Sequence, residues 1–424
     1  MQGRRRMTHS SAIPRLMWFF AIVYAVEGIG QAKSGIVWQP LTHYLKETQG
    51  WGPTEISASL AVVDLPWVIK PLYGLISDFV PLFGSRRRSW LILANLAGAA
   101  AFAGVATTVS PSGIVPALVL TAIAMAVSST LCGALLVENG QRTGRSSAFV
   151  NQQWLFFNFA LIAASLVGGQ LAQHLGASAA LHAAAWIAAA APLAILPALS
   201  LIREAPAAID RAALRQRFGA LVRALRSRVL WLIAGYLFCY FFSPGFGTPL
   251  YFHMTDRLGF SQGFVGLLSS VNAAGWIAGG LLYRWALVRL SLPSMLRLSI
   301  GCGVATTLAY LGLVGPVSAV AIYFLAGMAN MLATIATLTL AADACPEGAE
   351  GFGFAALMSV INLATPLADT AGSALYEHAF ASQMAPLIVV SAAFTALAWP
   401  LLRFMPLPRA RSPIAADGPH PSPL

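Results

Sequence analysis

The sequence predicts an all-α polytopic membrane protein, with twelve transmembrane helices arranged as two pseudo-symmetric six-helix bundles. Three observations support this fold class: the composition, the number of long apolar stretches, and an internal repeat. Of the 424 residues, 58% are hydrophobic and only 10% are charged, and the mean hydropathy is +0.71. Water-soluble proteins carry about 25% charged residues. The composition therefore places most of this chain in lipid.

The apolar stretches are long enough to cross a bilayer, because a spanning helix needs roughly 20 mainly apolar residues. Twelve stretches meet this requirement, at 16–45, 54–78, 89–109, 113–139, 148–174, 179–202, 229–255, 261–288, 293–313, 316–343, 352–379 and 382–404. An even number of spans puts both termini on the same side of the membrane.

The distribution of positive charge predicts which side that is. Of the 26 Lys and Arg residues, all but four lie in the terminal tails or in the connections that follow the even-numbered helices. The exceptions are Lys33 and Lys70 within helices, and Lys46 and Arg257 in the opposite loops. Because cytoplasmic loops are enriched in Lys and Arg, both termini are predicted to be cytoplasmic. The net charge of +11 then indicates loops over anionic lipid rather than a nucleic-acid site.

The predicted organisation has five parts. A cytoplasmic tail (1–15) precedes the N-terminal bundle (16–202), and an arginine-rich cytoplasmic linker (203–228) with a short amphipathic helix leads to the C-terminal bundle (229–404). A Pro-rich tail (405–424) is predicted to be disordered. The four cysteines form no CxxC or metal-ligand spacing, so we expect no disulfide framework, no metal site and no cofactor.

The two bundles repeat one sequence pattern with an offset of about 209 residues. The segment that begins at Pro40 aligns without a gap on the segment that begins at Pro249. Gly50 aligns with Gly259, and Trp67 aligns with Trp276. Two parallel repeats, related by an axis along the membrane normal, place a substrate site at their interface.

The segment LPWVIKPLYGLISDFVPLFGSRRRSWL (65–91) has Asp78 at the end of helix 2 and three arginines at the start of helix 3. It resembles the signature loop of the major facilitator superfamily, and its expanded form resembles that of the folate–biopterin transporter family. The segments PGFGTPLYFHMTDRLGFSQGFVGLLSSVNAAGWIAGGLLY and CPEGAEGFGFAALMSVINLA resemble the same family. The resemblance implies the major facilitator fold and proton-coupled transport of folate or pterin.

Helix 4 departs from the family pattern. It reads SSTLCGALLVE, so Ser129 and Gly133 stand where the family has carboxylates, and only Glu138 remains. Because those carboxylates are missing, the resemblance leaves the substrate and the coupling ion open.

Ionisable residues within membrane helices are costly and usually face a cavity or a partner. Five are candidates for substrate contact or proton coupling: Glu27, Lys33, Asp64, Lys70 and Asp369. At about 1.5 Å per residue, their depths predict pairing of Glu27 with Lys70 and of Lys33 with Asp64. The alternative is that these pairs are static and only join helices 1 and 2. For Asp369 the sequence suggests no partner.

Two further sets of residues are predicted from position. Charges at the cytoplasmic helix ends are expected to form a gate, with solvated topology charges as the alternative; they are Asp78, Arg86, Arg87, Arg88, Glu138 and Asp343. Aromatic and amide side chains are candidates for the cavity lining, with helix packing as the alternative; they are Gln31, Trp38, Trp67, Asn158, Tyr240, Asn272, Trp276, Asn330 and Asn362.

These features predict a secondary active transporter that works by alternating access, with proton-coupled uptake of a folate- or pterin-like anion. The sequence contains no P-loop, GxSxG or HExxH segment, so an enzyme is not expected. The alternatives are transport of another small organic solute, such as a siderophore, peptide fragment or drug, and a non-transporting assembly factor or sensor. We expect a monomer in a bacterial inner membrane.

Overall fold

A computed structural model describes residues 2–31, 34–108, 110–143, 145–202, 226–343 and 350–405, together with residues 204, 219, 222 and 345. Lys33, most of the predicted linker and the C-terminal residues 406–424 lie outside this part. The N-terminal half contains nine α-helices in the described part: α1 Gln2–Gly30, α2 Trp38–Glu47, α3 Pro53–Val68, α4 Lys70–Phe79, α5 Arg88–Thr107, α6 Pro111–Thr143, α7 Ser146–His174, α8 Ala177–Ala190 and α9 Ile195–Ala198.

The C-terminal half contributes seven more: α10 Arg228–Phe241, α11 Gly247–Phe252, α12 Gln262–Leu282, α13 Leu292–Ala309, α14 Pro316–Asp343, α15 Glu350–Ala374 and α16 Met384–Leu401. In the described part of the chain, eleven helical segments are long and apolar enough to cross a membrane. Helix α10 is a shorter apolar helix of 14 residues and occupies the place of predicted helix 7. The chain is therefore an all-α, multi-pass membrane protein.

Predicted helices 1, 2 and 7 are interrupted, and helix 2 breaks at Ile69, between α3 and α4. Predicted helix 7 breaks between Phe241 and Gly247, as its Pro- and Gly-containing sequence indicates. The prediction that helix 1 is continuous over 16–45 was wrong, because α1 ends at Gly30 and α2 begins at Trp38. A Cβ atom at Gly35 would lie 2.2 Å from the Ile29 carbonyl oxygen, so only glycine allows the chain to fold back there.

The internal repeat is present in the structure. The loops that follow α2 and α11 share a backbone conformation: Gly50 has φ +69° and Gly259 has φ +65°. Their hydrogen bonds also match at an offset of 209, since Trp51 N donates to Leu45 O (3.0 Å) and Phe260 N donates to Met254 O (2.9 Å). Helices α3 and α12 then begin at equivalent residues, Pro53 and Gln262.

Each half has its own apolar core, and the two halves meet along two helix pairs. Helix α3 packs against α15, and α7 packs against α12. Glycines make the second contact close, because a Cβ atom at Gly169 would lie 2.8 Å from Gly266 Cα. We call the end with Gly50 and Gly259 the outer end, and the end with Arg86 and Glu138 the inner end.

Candidate functional site

A chain of hydrogen bonds joins a cation and a carboxylate inside the N-terminal half. Lys70 Nζ donates to Ser129 Oγ (3.1 Å), and Ser129 Oγ donates to Glu27 Oε1 (2.9 Å). The predicted juxtaposition of Glu27 and Lys70 is present, but the hydroxyl of Ser129 lies between the two charges. Lys70 Nζ also lies 4.7 Å from the centre of the Trp67 ring, within the range of a cation–π contact.

Local backbone features bring these three side chains together. Glu27 precedes Gly28 on α1, and a Cβ atom at Gly28 would lie 2.6 Å from the Phe157 carbonyl oxygen, so α1 packs closely on α7. Lys70 opens α4 directly after a break at Ile69, where the following Pro71 supplies no backbone N–H. Ser129 enters from α6.

The hydrogen bonds from Lys70 through Ser129 to Glu27 leave the second carboxylate oxygen of Glu27 without a partner among the described residues. Glu27 Oε2 is buried and has no hydrogen-bond partner in the described part of the chain. A buried polar atom without a partner is costly. A proton on this oxygen would remove the negative charge that balances Lys70, so the geometry can support binding of a proton together with an anion.

Aromatic and amide groups from both halves meet where the two halves contact each other. Asn362 Nδ2 on α15 donates to the carbonyl oxygen of Trp67 on α3 (2.9 Å). The rings of Trp154 and Trp276 stack across the interface of α7 and α12, with centroids 6.1 Å apart and planes 25° apart. Trp67, Trp276 and Asn362 are predicted cavity residues, and the structure places all three at the contact between the halves.

Other residues predicted to line the cavity form hydrogen bonds within their own half of the protein. Asn158 donates to Trp154 O within α7 (2.8 Å), and Asn272 donates to Tyr323 O on α14 (3.0 Å). Tyr240 is buried, and its hydroxyl lies 3.5 Å from Ser299 Oγ. These contacts agree with the alternative of helix packing. The remaining candidates give no direct sign of a ligand site: Trp38 packs on the N-terminal core, Gln31 lies beside Glu27, and Asn330 is exposed.

The other intramembrane charges occupy separate places. Asp64 is half-buried on α3, and its predicted partner Lys33 lies outside the described residues. Asp369 on α15 is buried, and it accepts a hydrogen bond from Thr248 Oγ1 on α11 (2.9 Å). Asp369 thus has a partner that sequence reasoning did not identify.

At the inner end, two of the three arginines predicted for the gate meet Glu138. Arg86 Nη2 and Arg87 Nη2 lie 3.0 Å and 2.6 Å from Glu138 Oε1. Arg88 and Asp343 are exposed, and the side chain of Asp78 is outside the described part of the structure.

Sequence reasoning missed Glu204, which accepts hydrogen bonds from Ser85 Oγ (2.6 Å) and from the backbone N–H groups of Arg87 and Arg88 (both 2.9 Å). Glu204 thereby caps the first turn of α5, where a carboxylate is favourable.

The outer end carries polar contacts between the two halves, and sequence reasoning missed these too. Lys46 forms an ion pair with Asp256 and donates to Thr255 Oγ1 (2.7 Å). Gln39 Nε2 donates to Gln262 Oε1 (3.0 Å). The available signal was Lys46 itself, since it is one of only two Lys and Arg residues in the loops that the sequence predicts at this end.

A third contact at the outer end joins Glu377 to α3. Glu377 Oε2 accepts a hydrogen bond from Thr54 N (3.0 Å), and a Cβ atom at Gly52 would lie 2.4 Å from Glu377 Oε1. The carboxylate of one half therefore sits at the N-terminus of a helix of the other half, directly against Gly52.

Comparisons with known proteins agree with this architecture. The sequence matches the BT1 family over residues 29–417. It is 28% identical over 412 residues to the folate-biopterin transporter of Synechocystis sp., covering 91% of this chain and 80% of that protein. It is 24% identical over 375 residues to probable folate-biopterin transporter 2 of Arabidopsis thaliana, covering 82% and 74%.

Solved structures share the fold at low identity. A mutant of the nucleoside transporter NupG superposes with a TM-score of 0.72 at 13% identity, covering 92% of this chain and 99% of that chain. The D-xylose-proton symporter superposes with a TM-score of 0.68 at 15% identity, covering 93% and 98%. These likenesses confirm the predicted major facilitator fold. The family match spans nearly the whole membrane core, so the chain belongs to the BT1 family, the folate–biopterin transporters, and is a multi-pass membrane transporter, not an enzyme.

Proposed function

We propose that the protein takes up a folate- or pterin-like organic anion together with protons, by alternating access of a central site to the two sides of the membrane. The observation that carries this proposal is the chain from Lys70 through Ser129 to Glu27. The family, and relatives named as folate-biopterin transporters, support the substrate class. The arginines at the inner end support a cytoplasmic inner end. The relative from Synechocystis sp. supports a bacterial membrane, and we propose that the protein acts as a monomer in the inner membrane.

Charge balance is the physical reason for coupling. With Glu27 ionised and Lys70 protonated, the site is neutral overall. An anion that binds alone leaves one uncompensated negative charge inside the membrane, and a proton that binds alone leaves one positive charge. Either state is expensive in a medium of low polarity. A proton and one anionic group together keep the site neutral, so they are expected to bind and cross together.

The order of events follows from the hydrogen bonds. A proton on Glu27 Oε2 weakens the carboxylate's hold on Ser129 and leaves the Lys70 ammonium available to a substrate carboxylate. The flat ring of a pterin can stack on the indoles of Trp67, Trp154 and Trp276, which lie at the same interface. A substrate that stacks on tryptophans of both halves would bind more tightly when the halves are close together, and would therefore favour the state with the outer end closed.

The test is uptake of labelled folate into proteoliposomes, with and without an inward proton gradient, together with folate exchange in the absence of a gradient. Glu27→Gln imitates the protonated carboxyl group, so gradient-driven accumulation should disappear while exchange continues. Lys70→Gln removes the cation and should weaken folate binding about ten- to a hundredfold, as expected for a lost charge-assisted hydrogen bond.

Thr130→Val is the matched control, because Thr130 neighbours Ser129 but its hydroxyl donates only to Ala126 O of its own helix (2.7 Å). Full gradient-driven accumulation by Glu27→Gln would contradict the carrier role of Glu27. Absence of folate transport by well-folded wild-type protein would assign the site to another small organic anion. The replacement of family carboxylates by Ser129 and Gly133 supports that second substrate class, and the ionisable residues at membrane depth argue against a non-transporting role.

A further inference from the structure

The C-terminal half contains a buried carboxylate that the proposed coupling chain does not use. Asp369 lies on α15 and is only 8% exposed. Its Oδ2 atom accepts from Thr248 Oγ1 (2.9 Å), and its Oδ1 atom lies 3.4 Å from Thr248 N. Thr248 is the second residue of α11, so the carboxylate faces the first turn of the outer segment of helix 7.

The break in helix 7 rests directly on α15 at this point. Gly245 N donates to Ala368 O (2.8 Å). A Cβ atom at Gly245 would lie 2.9 Å from Asp369 Cα, and one at Gly372 would lie 1.7 Å from Gly245 O. Backbone contacts this close leave the broken segment little freedom to move while they last.

The same backbone contact exists in the first repeat, but the carboxylate does not. A Cβ atom at Gly168 would lie 2.8 Å from Ile36 O, and this pair is equivalent to Gly372 and Gly245 in the second repeat. Between α7 and α15 the repeat offset is 204 residues, as the pair Asn158 and Asn362 shows, so the position equivalent to Asp369 is Ser165. Both halves therefore have a broken first helix that rests on glycine, and at equivalent positions the second half has a carboxylate where the first half has a serine hydroxyl.

Helix α11 leads directly to the contacts that close the outer end. The π-helical turn that follows it carries Thr255 and Asp256, the partners of Lys46 in the other half. The orientation of α11 therefore sets the position of the surface that Lys46 meets.

We propose that Asp369 is a positioning residue that holds the outer segment of helix 7 against α15, so that the outer end closes in one geometry. This inference rests on the proposed transport function, but it assigns Asp369 neither the proton nor the substrate. Each closure of the outer end then depends on the contact between Asp369 and Thr248.

A transport assay separates this role from proton carriage. In Asp369→Asn and Thr248→Val, gradient-driven uptake and folate exchange should both fall by about three- to thirtyfold, the range for the loss of one helix cap. Both processes should fall because both require the outer end to open and close. Folate binding to detergent-solubilised protein does not require this movement and should be unchanged. Thr248→Ser keeps the hydroxyl and should restore transport.

Thr370→Val is the matched control. Thr370 is next to Asp369 on α15, but its hydroxyl donates to Pro366 O of the same helix (2.9 Å). This variant should transport like the wild type. If Asp369→Asn lost gradient-driven uptake but kept full exchange, Asp369 would be a proton carrier and the inference would be overturned.

A distance measurement tests the geometry without transport. Spin labels at Thr48→Cys and Arg257→Cys, in protein whose four native cysteines are replaced, report the separation of the outer ends of α2 and helix 7. Wild type and Thr370→Val should give one narrow short distance, and Asp369→Asn should add longer distances. A single short distance in Asp369→Asn would contradict the inference even if folate proved not to be the substrate.

Discussion

At the scale of the residue, the site depends on how one hydroxyl serves two charges. The Ser129 hydroxyl accepts a hydrogen bond from Lys70 and donates its single proton to Glu27, so one group satisfies both charged partners. In the family pattern a carboxylate stands in this part of helix 4. A carboxylate there would add a second negative charge beside Glu27, and the neutral pairing with one lysine would be lost. Serine keeps the connection without changing the charge.

Replacement of this hydroxyl should therefore weaken function without abolishing it. Ser129→Ala removes one partner from Lys70 and one from Glu27, and each lost bond to a charged group costs about 1.5–3 kcal/mol before solvent or neighbours compensate. We expect gradient-driven folate uptake to fall about tenfold or more. Ser129→Thr retains the hydroxyl and should stay near the wild-type rate, and equal losses in both variants would contradict a role for the hydroxyl.

At the scale of the element, side chains from distant parts of the chain cap the starts of helices. Glu204 caps α5 within the N-terminal half, and Glu377 caps α3 across the two halves. The first turn of a helix has N–H groups without internal partners and carries a partial positive charge. These carboxylates therefore fix where helices begin, and they also join elements that the chain order separates.

The cap by Glu204 should affect stability more than recognition. Glu204→Gln keeps a hydrogen-bonding group but loses the charge at the start of α5, which should cost about 1 kcal/mol of stability. Thermal unfolding of purified protein should occur at a lower temperature, while folate affinity should be unchanged. A lower affinity with unchanged thermal stability would show that Glu204 acts on the site instead.

The cap by Glu377 should act on conformation, because its partner helix belongs to the other half. Glu377→Gln should favour the open outer end, and the distance between labels at Thr48→Cys and Arg257→Cys should lengthen. Glu55→Gln is the matched control, because Glu55 also accepts a bond at the start of α3 (from Gly52 N, 3.0 Å) but lies in the same half. Equal lengthening in both variants would contradict a latch between the halves.

At the scale of the whole molecule, the described polar contacts between the halves lie between the level of Trp67 and the outer end. The ion pair of Lys46 with Asp256 lies at the outer end itself. Rocking of the halves would separate all these contacts together. The closed outer end is thus held by several contacts of modest strength, which a bound substrate and proton can oppose.

Reversal of one charge in this pair should open the outer end. Lys46→Asp places two negative charges together, so a thiol reagent applied from outside should label a cysteine at Gln39 faster than in a protein with Lys46 intact. Asp256→Lys in the same chain restores opposite charges and should slow the labelling again. If the double variant labelled as fast as Lys46→Asp alone, the ion pair would have no part in closure.

Several features followed from the sequence because they depend on neighbours along the chain. The apolar stretches require lipid, and the break in helix 7 follows from Pro244 and its adjacent glycines. The depths of Glu27 and Lys70 follow from the constant rise of a helix, so their approach was predictable. The resemblance of residues 65–91 to a known family was specific enough to predict the fold, which the comparisons confirm.

Tertiary structure alone decided the features that require contact between distant segments. The glycines near Gly35 weaken a helix without fixing where it breaks, and the break depends on the close approach of Gly35 to the Ile29 carbonyl group. Ser129 joins Glu27 to Lys70 only because α6 packs beside α1 and α4. Asp369 acquires a partner only because the break in helix 7 rests on α15. Hydropathy and charge set which segments enter the membrane, while side-chain hydrogen bonds depend on positions within a few tenths of an ångström, which packing alone defines.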